Sequence, residues 1–525
     1  MSMNRQERRR AQRAAAKAAG RTAVAPPMAG PLQRARELAD SGDLAAAEEL
    51  LRERVGAEPK DTAALVLLSH VLLRGEHYDE AVACARRAAV RDARSADAQT
   101  ALGEALRQQD RVVESLQCHE RATTLAPENA EARHAYGLAL IDAGEAAAAA
   151  EQLRRACALA PGSVRYITTL ATALARLNAY DEALRIFNQA VEAVPGNAQL
   201  LFNRSFCHLA TGHLPEGWDD FEYGFAAHGR KPDRTFDVPA WDGAGLPPGR
   251  RVLIWREQGI GDELRLGSCY RDVIERTTDV IIETEPRLVG LLRRSFPTAI
   301  VRPPTSDDQG RSTRAAADYA AHIPAGSLPR LFRRRLDDFP EQGAYLVADP
   351  DRTDEFRRRL EALGPGLKVG ICWRSMKLDV KRLQWYTTLE EWDPVLGVAG
   401  ATFVNLQYGD RDLLTTELTA NAQRTGVEVA TFDDLDYTND LEGVASLITA
   451  LDLVVGVSTS VSLLTGALGR PGLQLGLVGD PMQFGLRDRY PWFPTIQPVD
   501  RPHGETWAPV MQRVAARVAE MASAP

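Results

Sequence analysis

The chain has 525 residues, about three times the usual domain length of roughly 150 residues, so two or three domains are expected. Hydrophobic residues make up 45% of the chain and charged residues 26%, which argues against intrinsic disorder, collagen-like repeats and disulfide scaffolds. The formal net charge of −8 is small for this length and provides no broad basic field, so nucleic acid is not expected as a partner.

Residues 1–27 carry several arginines but no apolar stretch of the kind that a secretory signal needs. They predict a basic flexible tail, and binding of this tail to an acidic membrane or partner is the alternative to plain solvation. The six cysteines are widely spaced, without a C-x-x-C pair or a His cluster, which favours reduced thiols over disulfides or zinc ligands. No apolar run is long enough to span a membrane, so a cytoplasmic protein is expected.

A 34-residue period runs through the first 230 residues. Small residues recur at this step in two registers, which are Ala35, Ser69, Gly103, Gly137, Ala171 and Ser205, and Ala47, Ala81, Ser115, Ala149, Ala183 and Gly217. Small side chains are needed where two helices pack closely. The pattern resembles the tetratricopeptide repeat family over about residues 28–230. It predicts five full helix pairs and a sixth whose second helix runs through Trp218, Phe221 and Phe225.

The resemblance implies an α-solenoid whose concave face holds a protein partner. Polar residues of the first helices are candidates for this partner-binding face, namely Arg133, His134, Arg165, Asn203 and Arg204. Asn203 is the first choice, because an amide can both donate to and accept from a bound peptide backbone. The alternative is that these side chains are only solvated.

The period ends after Phe225, and a Gly- and Pro-rich segment predicts a linker over residues 231–250. Beyond it, short apolar runs alternate with amphipathic segments, which is typical of parallel sheets covered by helices. Two α/β units are predicted, over residues 251–350 and 351–525. Their predicted strands are residues 251–255, 279–283 and 298–302, then 367–373, 402–406, 427–431, 453–457 and 472–477.

The loops after these strands carry the candidate ligand-binding residues, because open parallel sheets bind ligands at the carboxyl ends of their strands. The turn after the first strand contains Gly259 and Gly261, which permit close backbone approach, and acidic residues at the start of a helix. Hydroxyl groups at 458–460 open another helix, where a phosphate can bind. Cations follow the strand at 367–373. A plain turn, a helix cap and solvated cations are the alternatives.

Several short motifs together resemble bacterial glycosyltransferases with a tetratricopeptide front end. They include EQGIGD at 257–262, GICWRS at 370–375, NLQYGD at 405–410 and DYTNDL at 436–441. The closest resemblance is to the flagellin glycosyltransferases of polar-flagellated bacteria. It implies a two-lobed catalytic domain of the GT-B class behind the solenoid. The implied activity, with a role in motility, moves a nonulosonic acid of the pseudaminic or legionaminic type from a CMP-sugar to Ser or Thr of flagellin.

A more distant similarity, to the lipopolysaccharide heptosyltransferases, implies that Asp262 is the general base, with Glu257 or Glu263 as substitutes. The resemblance implies donor binding by Gly259, Gly261, Arg374, Ser375, Lys377, Gln407, Tyr408, Asn439, Ser458, Thr459 and Ser460. No cofactor besides the nucleotide-sugar donor is expected. No metal is expected either, because no D-x-D motif follows a suitable strand.

Two alternatives stay open. One is an enzyme that uses another nucleotide sugar on another protein, in the manner of the O-linked N-acetylglucosamine transferases, since the donor-site residues do not define the base. The other is a non-catalytic binding scaffold. The complete turns at Asp262 and at 458–460 argue against the scaffold.

Overall fold

The computed structural model describes residues 30–232, 234–277, 279–304, 318–341, 343–376 and 385–523. The tail predicted for residues 1–27 therefore lies outside the described residues, and so does Lys377. The chain divides into two compact units, one ending at Ala139 and the other beginning at Leu140. The boundaries predicted near residues 230 and 350 stay predictions.

Helices repeat with the predicted period of the sequence. The first helices of successive units begin at Thr62, Ala96, Ala130, Val164 and Ala198, each 34 residues after the last. The helices are α1 Pro31–Asp40, α2 Leu44–Ala57, α3 Thr62–Arg74, α4 Tyr78–Arg91, α5 Ala96–Gln108, α6 Val112–Leu125, α7 Ala130–Asp142, α8 Ala146–Leu159, α9 Val164–Arg176, α10 Tyr180–Ala193, α11 Ala198–Ala210 and α12 Leu214–Phe221. The last helix is shorter than predicted, because a 3₁₀ turn follows at Glu222–Gly224 and Phe225 lies beyond both.

The same period places a capping side chain before each of these first helices. Each cap accepts a hydrogen bond from the backbone N–H three residues later, and the caps are Asp61, Ser95, Asn129, Ser163 and Asn197. Such caps satisfy N–H groups that have no partner inside the helix. The repeat therefore fixes the starts of the helices as well as their contacts.

The small residues of the two registers lie where the helices of a pair touch. In the second pair, Ser69 Oγ donates to the carbonyl of Ala81 at 2.9 Å, and in the third, Ser115 Oγ donates to the carbonyl of Gly103 at 2.7 Å. The fully buried ring of His119 packs against Gly103 and occupies the space that a Cβ atom there would need. Burial lowers the pKa of His119 to about 3, so the ring is neutral at physiological pH.

We expect Gly103→Ala to destabilise the protein by about 1–3 kcal/mol, because a Cβ atom there would lie 2.7 Å from His119 Nε2. Gly56→Ala is the matched control, since Gly56 is in α2 and a Cβ there would meet nothing within 4 Å. The control should be neutral or stabilise by about 0.5–1 kcal/mol. Urea unfolding followed by circular dichroism measures both. Equal effects of the two substitutions would contradict the packing argument.

The second unit contains two sheets, and all of their paired strands are parallel. The strands are β1 Val252–Trp255, β2 Val280–Glu283, β3 Ile300–Arg302, β4 Ala321–Pro324, β5 Leu367–Cys372, β6 Ala401–Asn405, β7 Leu453–Val457, β8 Gly472–Leu477 and β9 Ile496–Arg501. The first sheet has the order β3-β2-β1-β4 and the second the order β6-β5-β7-β8-β9. The prediction of an α/β region with parallel sheets is therefore confirmed.

Helices connect and cover these strands. They are α13 Ile260–Leu266, α14 Tyr270–Arg276, α15 Val289–Ser295, α16 Leu328–Phe332, α17 Pro350–Glu361, α18 Asp393–Leu396, α19 Arg411–Thr425, α20 Leu441–Ala450, α21 Ser460–Ala467 and α22 Ala508–Ala522. One apolar cluster includes Trp218 of the last repeat, Ile254 of the first sheet and Val454 of the second. The neighbouring Val455 belongs to a second cluster with Val514 of α22, as the alternation of side chains along a strand requires.

Three features of the α/β region differ from the predictions. Residues 427–431 form no strand, because only Ala430 bridges to Val404. Strands β4 and β9 lie outside the predicted strands, and each contains a proline, Pro324 at the end of β4 and Pro498 within β9. Both strands lie at a sheet edge, where a proline costs no central ladder hydrogen bond. The predicted linker packs in part against the first sheet, where the ring of Phe236 stacks on His322 at 3.7 Å.

Candidate functional site

A cavity of about 430 Å³ lies at the carboxyl ends of strands from both sheets, and we call it the cleft. Its lining includes the turn after β1, the start of the loop after β5 and the turn after β7. The order of the first sheet reverses between β1 and β4, and that of the second reverses between β5 and β7. Ligands of open parallel sheets bind at such points.

The turns after β1 and β7 meet at the cleft because α13 and α21 pack closely. A Cβ atom at Gly261 would lie 3.1 Å from Leu463 Cδ1, so the glycine permits this approach. Both Gly259 and Gly261 line the cleft, as predicted residues of the donor site. Gln258, just before them, has a φ of 62°, and its N–H donates to the carbonyl of Lys231 at 2.8 Å. This bond holds the turn in a left-handed conformation.

Asp262 lines the cleft, and its side chain is 39% exposed. Its Oδ1 lies 3.2 Å from Nη1 of Arg265, whose Nε donates to the hydroxyl of Tyr490 at 2.9 Å. Burial disfavours the charge on Arg265, but the neighbouring Tyr490, Asp262 and Asp480 outweigh burial and raise its pKa. A fixed cation therefore orients the Asp262 carboxylate toward the cleft.

The two substitute bases do not line the cleft. Glu257 is fully buried, accepting hydrogen bonds from Arg230 and from the N–H of Gly326. Glu263 is also buried and accepts from Thr284 and from Arg256, at 3.0 Å for the latter. Burial raises the pKa of Glu263. Because both carboxylates are enclosed by protein partners, the prediction of a base rests on Asp262 alone.

Hydroxyl groups line the part of the cleft that belongs to the second sheet. Ser458, Thr459 and Ser460 all belong to the lining. Thr459 also forms a capping box with Ser462 at the start of α21. Ser375 and Tyr408 line the cleft too, with their oxygens 3.4 Å apart. Burial raises the pKa of Tyr408, which keeps its phenol protonated.

Three of the residues predicted to bind the sugar donor do not line the cleft. Arg374 is buried, and its Nη2 lies 2.7 Å from Oε2 of Glu417. The Gln407 side chain is fully buried and accepts from the N–H groups that follow β5, so it supports the loop and does not line the cleft. Asn439 is exposed and donates to Asp436 at 2.9 Å. The fourth, Lys377, lies outside the described residues.

Arginines that the motifs did not indicate provide positive charge in the cleft. Arg287 lines it, donating from Nη1 to the carbonyl of Thr438 at 2.8 Å and from Nε to Glu285 at 3.0 Å. Arg287 follows β2, so the rule that ligands bind after strands could have found it. Arg265 lies one helical turn after Asp262, a spacing that also predicts proximity.

The residues predicted for partner binding are largely engaged within the protein. Arg133 is buried and donates to the carbonyl of Pro127 at 2.6 Å. Arg204 forms an ion pair with Asp220, 2.7 Å from its Nε. Arg165 is exposed, with its guanidinium 5.1 Å from the ring centre of Tyr166. Asn203 is half-buried and accepts from Gln199 at 3.2 Å, while the other predicted candidate, His134, is buried. Arg165 and Asn203 thus keep the most open positions.

The structure therefore defines a chain with tetratricopeptide helix pairs followed by a region of two parallel sheets with a polar cleft. Family models of the tetratricopeptide repeat match residues 100–203 and 66–118. The chain is 34% identical to Protein FlbA of Caulobacter vibrioides over 370 residues, which cover 67% of this chain and 61% of that protein. It thus spans less than two thirds of that relative's length. A stretch of 370 residues exceeds the repeat array, so the similarity includes part of the sheet region.

Two solved structures are also similar to part of the chain. TTC0263 of Thermus thermophilus is 23% identical, with a TM-score of 0.32, and covers 34% of this chain and 97% of its own. The PilF protein of Pseudomonas aeruginosa is 22% identical, with a TM-score of 0.32, and covers 37% of this chain and 88% of its own. Because these TM-scores are below 0.5, the repeat assignment rests on the family models.

None of the helices in the described part of the chain combines the length and apolar character that a membrane crossing requires. The same residues contain no group of three or more His, Cys, Asp or Glu side chains that could hold a metal ion. Metal independence stays a prediction.

Proposed function

We propose that the protein is an O-glycosyltransferase with a GT-B type catalytic region, which captures flagellin through its repeats and transfers a nonulosonic acid from a CMP-sugar to Ser or Thr. One observation carries this proposal. The cleft lies at the reversal points of two parallel sheets and combines an accessible carboxylate, Asp262, with hydroxyls and arginines suited to a phosphate.

The dimensions and lining of the cleft suit a nucleotide sugar. Its volume of about 430 Å³ is within the usual range for small-molecule sites. Arg287, Ser458 and Ser460 offer donors for a phosphate, and the rings of Tyr386 and Tyr408 offer surfaces for a base or sugar. The modest net charge fits this assignment, because a few local donors suffice for one small anion.

The arrangement supports transfer by direct displacement. Asp262 accepts the proton of the acceptor hydroxyl, and the hydroxyl oxygen bonds to the anomeric carbon of the sugar. The bond from that carbon to the phosphate oxygen of the nucleotide breaks, and its electron pair leaves with the nucleotide. Arg287 and Arg265 stabilise the charge that develops on the departing phosphate. No protein–sugar intermediate is required in this scheme.

The experiment is to incubate the purified chain with flagellin and a panel of CMP- and UDP-sugars, and to measure flagellin by intact-protein mass spectrometry. A mass increase with a CMP-nonulosonic acid is expected. A mass increase with only another donor would indicate the other nucleotide-sugar enzyme. An unchanged mass with every donor, together with flagellin binding in a pull-down, would establish the scaffold alternative.

We expect Arg287→Ala to raise the dissociation constant for CMP roughly tenfold, because a charged hydrogen bond to the phosphate would be lost. Arg271→Ala is the matched control, since Arg271 is exposed on α14 and does not line the cleft. Isothermal titration calorimetry with CMP measures both variants. An unchanged dissociation constant for Arg287→Ala would remove this residue from the donor site.

A further inference from the structure

A second cavity, of about 320 Å³, lies beside the cleft, and we call it the aromatic cavity. The last repeat contributes four aromatic side chains to its lining, which are Phe202, Phe206, Trp218 and Phe221. Asp480, Pro481 and Met482 form another part of the wall. Gln258, Asp262 and Arg265 also line it, from the turn after β1 and from α13.

The aromatic cavity and the cleft share two residues, Asp262 and Arg265. The carboxylate that we assign as the base therefore borders both. A donor in the cleft approaches this carboxylate from the side of the second sheet, where Ser458 and Ser460 lie. The aromatic cavity meets the same carboxylate from the side of the last repeat, which is where an acceptor held by that repeat would arrive.

The chemistry of the aromatic cavity defines what it can bind. The rings of Phe202 and Phe206 are 5.1 Å apart and those of Trp218 and Phe221 are 5.9 Å apart, both edge to face. Such a cluster favours another aromatic or large aliphatic side chain. Gln258 lies beside it, with a side chain that can bond to a peptide backbone.

We propose that the aromatic cavity is an acceptor subsite that binds an aromatic or large aliphatic side chain next to the acceptor Ser or Thr. This assignment rests on the proposed function. It makes the last repeat part of the substrate site as well as of the capture array. Acceptor choice then depends on the residue adjacent to the hydroxyl, in addition to the affinity of flagellin for the repeats.

The test uses the full chain and two fluorescein-labelled peptides, Gly-Gly-Phe-Thr-Gly-Gly and Gly-Gly-Gly-Thr-Gly-Gly, in a fluorescence anisotropy titration. The wild-type protein should bind the Phe peptide roughly tenfold or more tightly than the Gly peptide, because one buried aromatic side chain provides that difference. Phe206→Ala should reduce the preference to about twofold or less. Equal binding of the two peptides by the wild-type protein would overturn the assignment.

Phe206 packs against the core, so its replacement by alanine also removes core contacts. A second variant therefore tests the cavity independently. Met482 is another lining residue, and Met482→Gln keeps the length of its side chain but makes it polar, so it should also reduce the preference. Tyr223→Ala is the matched control, because Tyr223 is 42% exposed and lies outside both cavities. An undiminished preference in folded Phe206→Ala and Met482→Gln would also overturn the assignment.

Flagellin mass measurements separate failure of the subsite from failure of the proposed function. Sugar transfer to flagellin without a preference between the peptides would overturn the assignment of the subsite but not the proposed function. A preference between the peptides, with no transfer from any donor, would overturn the proposed function and with it the acceptor role of the aromatic cavity. Transfer together with the preference supports both.

Discussion

Asp262→Asn is expected to abolish sugar transfer while leaving flagellin binding intact. Asparagine keeps the size of the side chain and an oxygen that can accept from Arg265, but its amide cannot take a proton from the acceptor hydroxyl. Losing a general base lowers the rate by roughly 10²–10⁴-fold. Flagellin binding should persist, because the substitution leaves the repeats unchanged.

The measurement is the time course of flagellin modification by intact mass, with a pull-down for binding. Asp412→Asn is the matched control. Asp412 is exposed in the first turn of α19, and this substitution changes the net charge by the same amount. Turnover near the wild-type rate in Asp262→Asn would show that another group is the base. Neither Glu257 nor Glu263 is then a ready candidate, since both are buried with protein partners.

The sequence determines those parts of the fold that depend on local spacing. From Thr62 onward the first helices start every 34 residues, because each of these units carries its own cap and small residues. Asn129 and Ser163 can therefore be recognised from neighbours only a few positions away. The turn with Asp262 and the hydroxyls at 458–460 were also predictable, because they follow strongly apolar strands. These residues do line one cleft.

Distant partners decide the parts that the sequence did not predict. Arg374 does not line the cleft, because its guanidinium binds Glu417, which is 43 residues later and belongs to no motif. Glu257 belongs to the same motif as Asp262. Its carboxylate is nevertheless buried, because it binds Arg230, which is 27 residues earlier. A motif shows which side chains are close in the chain, but the direction in which each one points depends on partners that only the fold brings near.

The ion pair of Arg230 and Glu257 leads to the second large prediction. Both side chains are fully buried, with Nη2 of the arginine 2.5 Å from Oε1 and Nε 2.8 Å from Oε2 of the glutamate. Arg230 also lies 4.3 Å from the ring centre of Phe225 and donates to Ser327 at 3.1 Å. It thereby ties the end of the last repeat to the turn after β1 and to the loop after β4.

We expect Arg230→Met to lower the free energy of unfolding by about 3–5 kcal/mol, because Glu257 would stay buried without its cation. Adding Glu257→Gln to this variant should recover part of the loss, since it removes the uncompensated charge. Arg52→Met is the matched control. Arg52 forms an exposed pair with Glu80, so this change should cost less than about 1 kcal/mol. Urea unfolding followed by tryptophan fluorescence and circular dichroism measures all three variants.

The same substitution tests whether the fold positions the catalytic turn. Glu257 accepts from the N–H of Gly326 and begins the turn that ends in Asp262, so its displacement should move the base. Folded Arg230→Met at low temperature should therefore transfer sugar more slowly than the wild type. Equal stability of Arg230→Met and the wild type would mean that the pair contributes little to either role.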